Sequence, residues 1–328
     1  MKKKLSIYLD QFAVSEMLEV NITPEWSRIK KLLLELHSKG IIFCPLSSEH
    51  YFETSWKEYS EAVNHDFFLN ELSDGYCFKT EAFLTSQLIS SRITKNNITL
   101  KTYLHTKVNQ VFKNSSNYNF FREKNTELFK TIKEVSKNNN EFKKITSNQK
   151  IDFKTQKTMF NVIMLLEVQK LIKRLEKLYS NEELMIEGYK SSVSEFPKWT
   201  DLIIDILLKK HKFKKKEIKK LILELKSNGF KNISSLNVRF SLSSFMNLHS
   251  KKDTSNDQID IARISTSLEF SDIMLTDKKR KHEILELKLD ESYNTKVFSG
   301  IKSDLNNLTL TLEKLNTTKA KINTGFGA

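Results

Sequence analysis

Four short apolar runs separated by helical patterns constrain this chain more than any other feature: LSIYL at 5–9, GIIFCPL at 40–46, DIMLT at 272–276 and TKVFSG at 295–300. Each is brief, rich in β-forming residues and almost continuously apolar. Strands of that kind need cover on both faces, and strands that alternate with helices pair in parallel. The runs therefore predict an α/β fold built on a short parallel sheet. Between the first two lies TPEWSRIKKLLLELHSKG, in which Thr23 is placed to cap a helix, Pro24 suits its first turn and Gly40 follows its end. The result is a complete strand–helix–strand unit.

The middle of the chain reads differently. From about 58 to 235 no segment has the length and pattern of a strand. FKTQKTMFNVIMLLEVQKLIKRLEKLYS (153–180) keeps apolar residues at helical spacing over a charged opposite face. Met159, Phe160 and Met164 within it read as core. Two more helices follow, the second stopped by Asn228-Gly229. The polar stretch 137–150 reads as a loop, and SSLNVRFSL (234–242) fits strand or helix. With only 7 Gly and 3 Pro in 328 residues, turn-dense β architectures are disfavoured and helix should dominate. The layout is a split α/β core, 1–58 and 236–328, around an all-helical insertion, 59–235. No internal repeat is present.

The formal charge is +14, carried mostly by lysine. Two readings stay open: a polyanion partner, whose counterions clustered lysines would release, or a compositional bias toward Lys, Asn and Ile. The densest run, KKHKFKKKEIKK (209–220), keeps apolar residues at helical spacing, so a solvated helix face is the first reading and a nucleic-acid contact the second. Cys44 and Cys77 lack metal-knuckle spacing and suggest core packing in a reducing compartment. Asp10 interrupts the first apolar stretch before it reaches signal-peptide length, and no apolar run is long enough to span a membrane. A cytoplasmic protein is expected.

In an open parallel sheet, ligands bind at the carboxyl ends of the strands. Asp10 follows the first run directly. The second leads into CPLSSEHYFETSW, where Ser47 or Ser48 can cap a helix and Glu49 and Glu53, four apart, share a face. Asp277 ends the third, and the helix feeding it carries Asp257 and Asp260 on one face. Acids gathered at one edge repel unless a cation compensates. With no Cys or His among them, they suit a hard ion, Mg²⁺ or Mn²⁺. Two such ions can hold a phosphodiester and activate water. Taken singly, Asp10 and Asp257 could equally be helix caps, and Glu49 and Glu53 surface residues. His50 could assist catalysis or simply pack.

The set YLDQF, CPLSSEHYFET and NDQIDIARISTSLEFSDIMLTDKK resembles the PIN-domain ribonucleases, particularly large bacterial PIN-like proteins. The resemblance covers about 120 residues split between the two ends. It implies a three-layer α/β/α core and catalytic roles for Asp10, Glu53, Asp260 and Asp277. Asp257 would be a further metal ligand, and Mg²⁺ or Mn²⁺ the cofactor. Glu53 is preferred to Glu49 by its distance from Ser47. Asp272 matches an acid of the related group but begins its strand and so belongs to the opposite edge. The resemblance also implies an RNA substrate, a toxin or phage-defence role, and with it an inhibitory protein partner or self-association. Two other readings compete. Glu286-Leu287-Lys288 fits the Glu-x-Lys of another nuclease class, with Asp272 or Asp277 upstream, though Asp10 would then go unexplained. A catalytically inactive scaffold, binding protein or nucleic acid through its insertion, is the non-enzymatic alternative. A nuclease requires the carboxylates of Asp10, Glu53, Asp260 and Asp277 within metal-bridging range, and it fails if Asp10 and Asp277 lie on opposite sides of the sheet.

Overall fold

All four apolar runs are strands of one parallel sheet in the computed structural model, which describes residues 4–47, 50, 53–106, 116–120, 152–180, 199–249 and 254–324, with single positions between 122 and 140. They are β1 (Leu5–Leu9), β2 (Ile42–Phe43), β5 (Ile273–Leu275) and β6 (Lys296–Phe298). The order across the sheet is β2-β1-β5-β6. Register is fixed by Leu5 opposite Ile42, Leu9 opposite Leu275, and Leu275 opposite Phe298.

Alternation along β1 explains why both faces of its last three residues are apolar. Ile7 and Leu9 enter an aliphatic core with residues of α1 (Gln11–Leu18), α2 (Pro24–Ser38) and α3 (Tyr59–Ser73). Tyr8 points to the opposite face, against Phe78 and stacked on His50. Each fully buried Leu or Ile there contributes about 1.5–3 kcal/mol relative to exposure. Helix α2 begins as expected, with Thr23 Oγ1 accepting from the Trp26 N–H and Pro24 at its first position. Gly40, at φ +62, turns the chain into β2 in a conformation that a side chain would strain.

The first unit comprises Met1–Phe78, Leu104–Glu123 and Ser267–Ala328, the second Lys79–Tyr103 and Lys124–Thr266. The divisions fall near 78 and 266, whereas the sequence pattern placed them near 58 and 236. Helix α3 accounts for the first shift, because its Phe68, Leu69 and Leu72 belong to the sheet's aliphatic core. Two short strands also lie where none was expected. β3 (Cys77–Phe78) and β4 (Leu104–His105) pair antiparallel, and Cys77 bridges to Leu46 beyond β2.

The second unit is helical. Its main members are α4 (Glu81–Thr94), α6 (Phe153–Ser180), α7 (Trp199–Lys209), α8 (Lys215–Asn228), α9 (Ser234–His249) and α10 (Ser255–Ser267, whose last residue falls in the first unit). The short α5 (Leu100–Tyr103) precedes β4. The ambiguous 234–242 stretch is thus helix. Met159, Phe160 and Met164 are half-buried, whereas Leu171, Ile172, Leu175 and Leu178 on the same helix are core. Most of the expected 137–150 loop lies outside the described residues. In the first unit, α11 (Lys278–Glu286) and α12 (Leu289–Tyr293) precede β6, and α13 (Lys302–Thr324) follows it. Among the described residues no helix is long and apolar enough to cross a membrane.

Candidate active site

Asp10 is where β1 becomes α1. Its backbone is still extended (φ −73, ψ 155), and its Oδ1 accepts from the Gln11 N–H at 2.7 Å. The Asp10 N–H donates to Leu275 O at 3.0 Å, and the Thr276 hydroxyl donates to Asp10 Oδ2 at 3.2 Å. The side chain is buried at 6% exposure. The capping reading of Asp10 is therefore correct as geometry, and the same bonds hold the carboxylate against the end of β5. A carboxylate oxygen keeps acceptor capacity after one such bond.

Asp277 repeats the arrangement on the neighbouring strand. Two residues past the end of β5, it caps α11, and its Oδ1 accepts from the Lys279 and Arg280 N–H groups at 2.7 and 3.0 Å. Its Oδ2 takes no hydrogen bond among the described residues. Since Leu9 is paired in register with Leu275, both acids emerge from the same edge of adjacent parallel strands. That edge is a topological switch point: the chain leaves β1 toward β2 and later returns to its other side as β5.

A third acid stands beyond β6. The Lys281 ammonium donates to both oxygens of Asp304 at 2.6 Å, and the Ser299 N–H and hydroxyl donate to its Oδ2 at 2.8 and 2.6 Å. Burial works to raise the Asp304 pKa, and the bonds from Lys281 and Ser299 outweigh it, holding the carboxyl below its ordinary value. The expected site omitted this residue, because in VFSGIKSD the acid lies in the first turn of the helix after β6 and not just past the strand end, as Asp10 and Asp277 do.

Glu53 lies half-buried on the helical turn after β2. His50, wholly buried, ties that turn to β1: its Nε2–H donates to Leu9 O at 2.9 Å and its Nδ1 accepts from the Ser47 N–H at 3.2 Å. The Arg122 guanidinium holds the far end of the turn through Ser55 O and Lys57 O, at 2.7 and 3.1 Å. The Glu53 segment is thereby carried to the edge that Asp10 occupies. His50 is a packed tether, with both ring nitrogens engaged. Glu49 and Ser48 lie outside the described residues.

Asp257 and Asp260 belong to the second unit. Asp257 Oδ2 accepts from both the N–H and the hydroxyl of Thr254, at 2.8 and 2.7 Å, while Thr254 Oγ1 accepts from the Asp257 N–H. That is a reciprocal cap at the start of α10. Asp260 lies 3.9 Å from Arg263. Asp272 is at the amino edge of the sheet, where its Oδ2 accepts from the Ser6 N–H at 2.8 Å, so it clamps β5 to β1. The Glu-x-Lys alternative fits poorly with Asp277, because that residue caps the start of α11 and Glu286 is its last residue, about 13 Å along the axis.

Among the described residues, no three His, Cys, Asp or Glu side chains are gathered closely enough to hold a metal ion. Compared with known protein families, with curated proteins and with solved structures, the chain matches none.

Proposed function

We propose that the carboxyl edge of the sheet is the active site of a metal-dependent, PIN-like nuclease that hydrolyses RNA. Its acids in the first unit would be Asp10, Glu53 and Asp277; roles for Asp260, and for Asp257 as a further ligand, rest on the resemblance alone. One observation carries the reading: Asp10 and Asp277 are held by their own helix caps at the ends of adjacent parallel strands, at the switch point of the sheet.

The donor chemistry fits a hard divalent ion. Mg²⁺ is commonly held through one or two carboxylates, with water and substrate phosphate completing its shell. Asp10 and Asp277 supply such a pair, and Asp277 Oδ2 is the oxygen with open capacity. When bound, Mg²⁺ or Mn²⁺ supplies charge stabilisation at phosphorus and a more acidic water. The chain's own contribution is orientation. Thr276 and the Gln11 N–H fix Asp10, the Lys279 and Arg280 N–H groups fix Asp277, and His50 fixes the turn bearing Glu53. A toxin or phage-defence role with an inhibitory partner belongs to the same proposal by resemblance alone. The second reading, an inactive scaffold, is favoured by the dispersal of the acids among the described residues.

The test is cleavage of an end-labelled single-stranded RNA by the full chain in Mn²⁺, with Asp10→Asn beside it. Loss of a residue that merely supports a metal ligand costs 10–100-fold, so the ligand itself should cost roughly a hundredfold or more. Equal cleavage by wild type and D10N, or none by wild type on RNA or DNA, sinks the proposal.

A further inference from the structure

The lysine run at 209–220 finds a structural setting that the nuclease reading does not use. It spans the end of α7, the connection to α8 and the first turns of α8. Phe213 and Ile218 are buried, and all eight of its lysines are exposed. Glu217, the run's single acid, is committed to the cap of α8, where its Oε2 accepts from the Lys214 N–H at 3.0 Å.

Several cations of this unit have acidic partners: Lys170 with Glu167, Lys226 with Glu176, Arg92 with Glu224 and, at the start of the run, Lys209 with Asp205. Among the described residues none of Lys212, Lys215, Lys216, Lys219 and Lys220 forms an ion pair. Lys215 and Lys219, and Lys216 and Lys220, are like charges four apart on one helix. That spacing destabilises a helix by about as much as an opposite-charge pair stabilises it. A bound polyanion would relieve the repulsion. Beside the run, Lys210 Nζ lies 4.8 Å from the centre of the Phe83 ring, and that ring is 38% exposed. Lys79 and Lys210 also push the His211 pKa down, after burial itself, so positive potential converges at this end of the run.

We propose that this face, Lys210 to Lys220 with Phe83, binds single-stranded nucleic acid. The lysines track phosphates, and Phe83 supplies the aromatic surface on which an unpaired base stacks. Lys210, on a flexible stem, can turn from the ring to a phosphate. A duplex, whose bases are already stacked, gains only the charge contribution.

Binding of a fluorescein-labelled unstructured RNA to the full chain is measured by anisotropy in EDTA, which separates this proposal from cleavage. K215Q/K216Q/K219Q/K220Q keeps helix propensity, and K154Q/K157Q/K173Q/K177Q on α6 matches its change in charge. The first variant should bind at least tenfold more weakly at low salt, with a log–log salt slope shallower by about 0.7 for each phosphate left without its lysine. The α6 variant should bind nearly as wild type. Phe83→Ala should weaken single-strand binding roughly fivefold or more and duplex binding little. Equal losses in both quadruple variants overturn the proposal by making net charge the cause. Duplex RNA or phosphatidylserine vesicles bound as well as the single strand also overturn it.

Discussion

His65 and Asp66 are neighbours on α3, both buried, and they titrate in opposite senses. His65 Nδ1 accepts from Gln11 Nε2 at 3.0 Å, and burial, reinforced by Lys57, lowers its pKa from 6.5 to about 4. Asp66 accepts from the Tyr118 hydroxyl at 2.7 Å, yet burial outweighs that bond and raises its pKa from 3.8 to about 6. The stability from neutral His65 is present above its unfolded pKa and is lost as pH falls toward 4. That from protonated Asp66 is complete below its unfolded pKa and is lost as pH rises through 6. The two contributions oppose each other over the same window. Asp66→Asn removes one of them. Urea unfolding should show the wild type gaining on the order of 2–3 kcal/mol relative to D66N as pH drops from 7 to 4. Parallel profiles would mean that Asp66 does not titrate there.

At the scale of elements, β1 and β5 are fastened at both ends by aspartates with different tasks. Asp272 clamps the amino edge and Asp10 stands at the carboxyl edge. Asp272→Ala leaves the Ser6 N–H without its acceptor and should cost about 1–3 kcal/mol in urea unfolding, with cleavage per folded molecule unchanged. Abolished cleavage at unchanged stability would reverse the assignment. These strands were legible in the sequence because short, nearly continuous apolar runs ending in a turn leave few choices. β3 and β4 were not, since two-residue strands carry no alternation. The 234–242 stretch stayed open between strand and helix for the opposite reason. Leu236, Val238, Phe240 and Leu242 alternate as a strand would, but buried Ser234, Ser235, Ser241 and Ser244 let α9 pack closely as a helix, Ser235 bonding Thr85 at 2.8 Å. Of the site, the strand-end acids were readable from position alone. Asp257 reads in sequence as either a ligand or a cap, since any acid opening a helix looks alike, and the structure shows the cap it forms with Thr254.

For the whole molecule, two thiols serve as internal reporters. Cys44 and Cys77 are both free and buried in the first unit, and burial pushes the Cys44 thiol well above its ordinary pKa. Neither should react with a thiol reagent at neutral pH until that unit opens. Reaction followed against urea should show both thiols released together, in step with loss of circular dichroism from the sheet unit. Rapid labelling of either one in buffer would contradict the packing described above.

The pairing of β1 with β5 has a consequence in time. Thr276 and Asp10, which bond to each other, are 266 residues apart. At ordinary rates of synthesis the ribosome needs roughly 13–50 s to travel between them. Throughout that interval the first strand has one edge without its neighbour, and the aspartate at its tip has no companion from the far end of the chain. On the reading proposed here, a nascent chain cannot cut RNA until synthesis has carried the chain past Asp277.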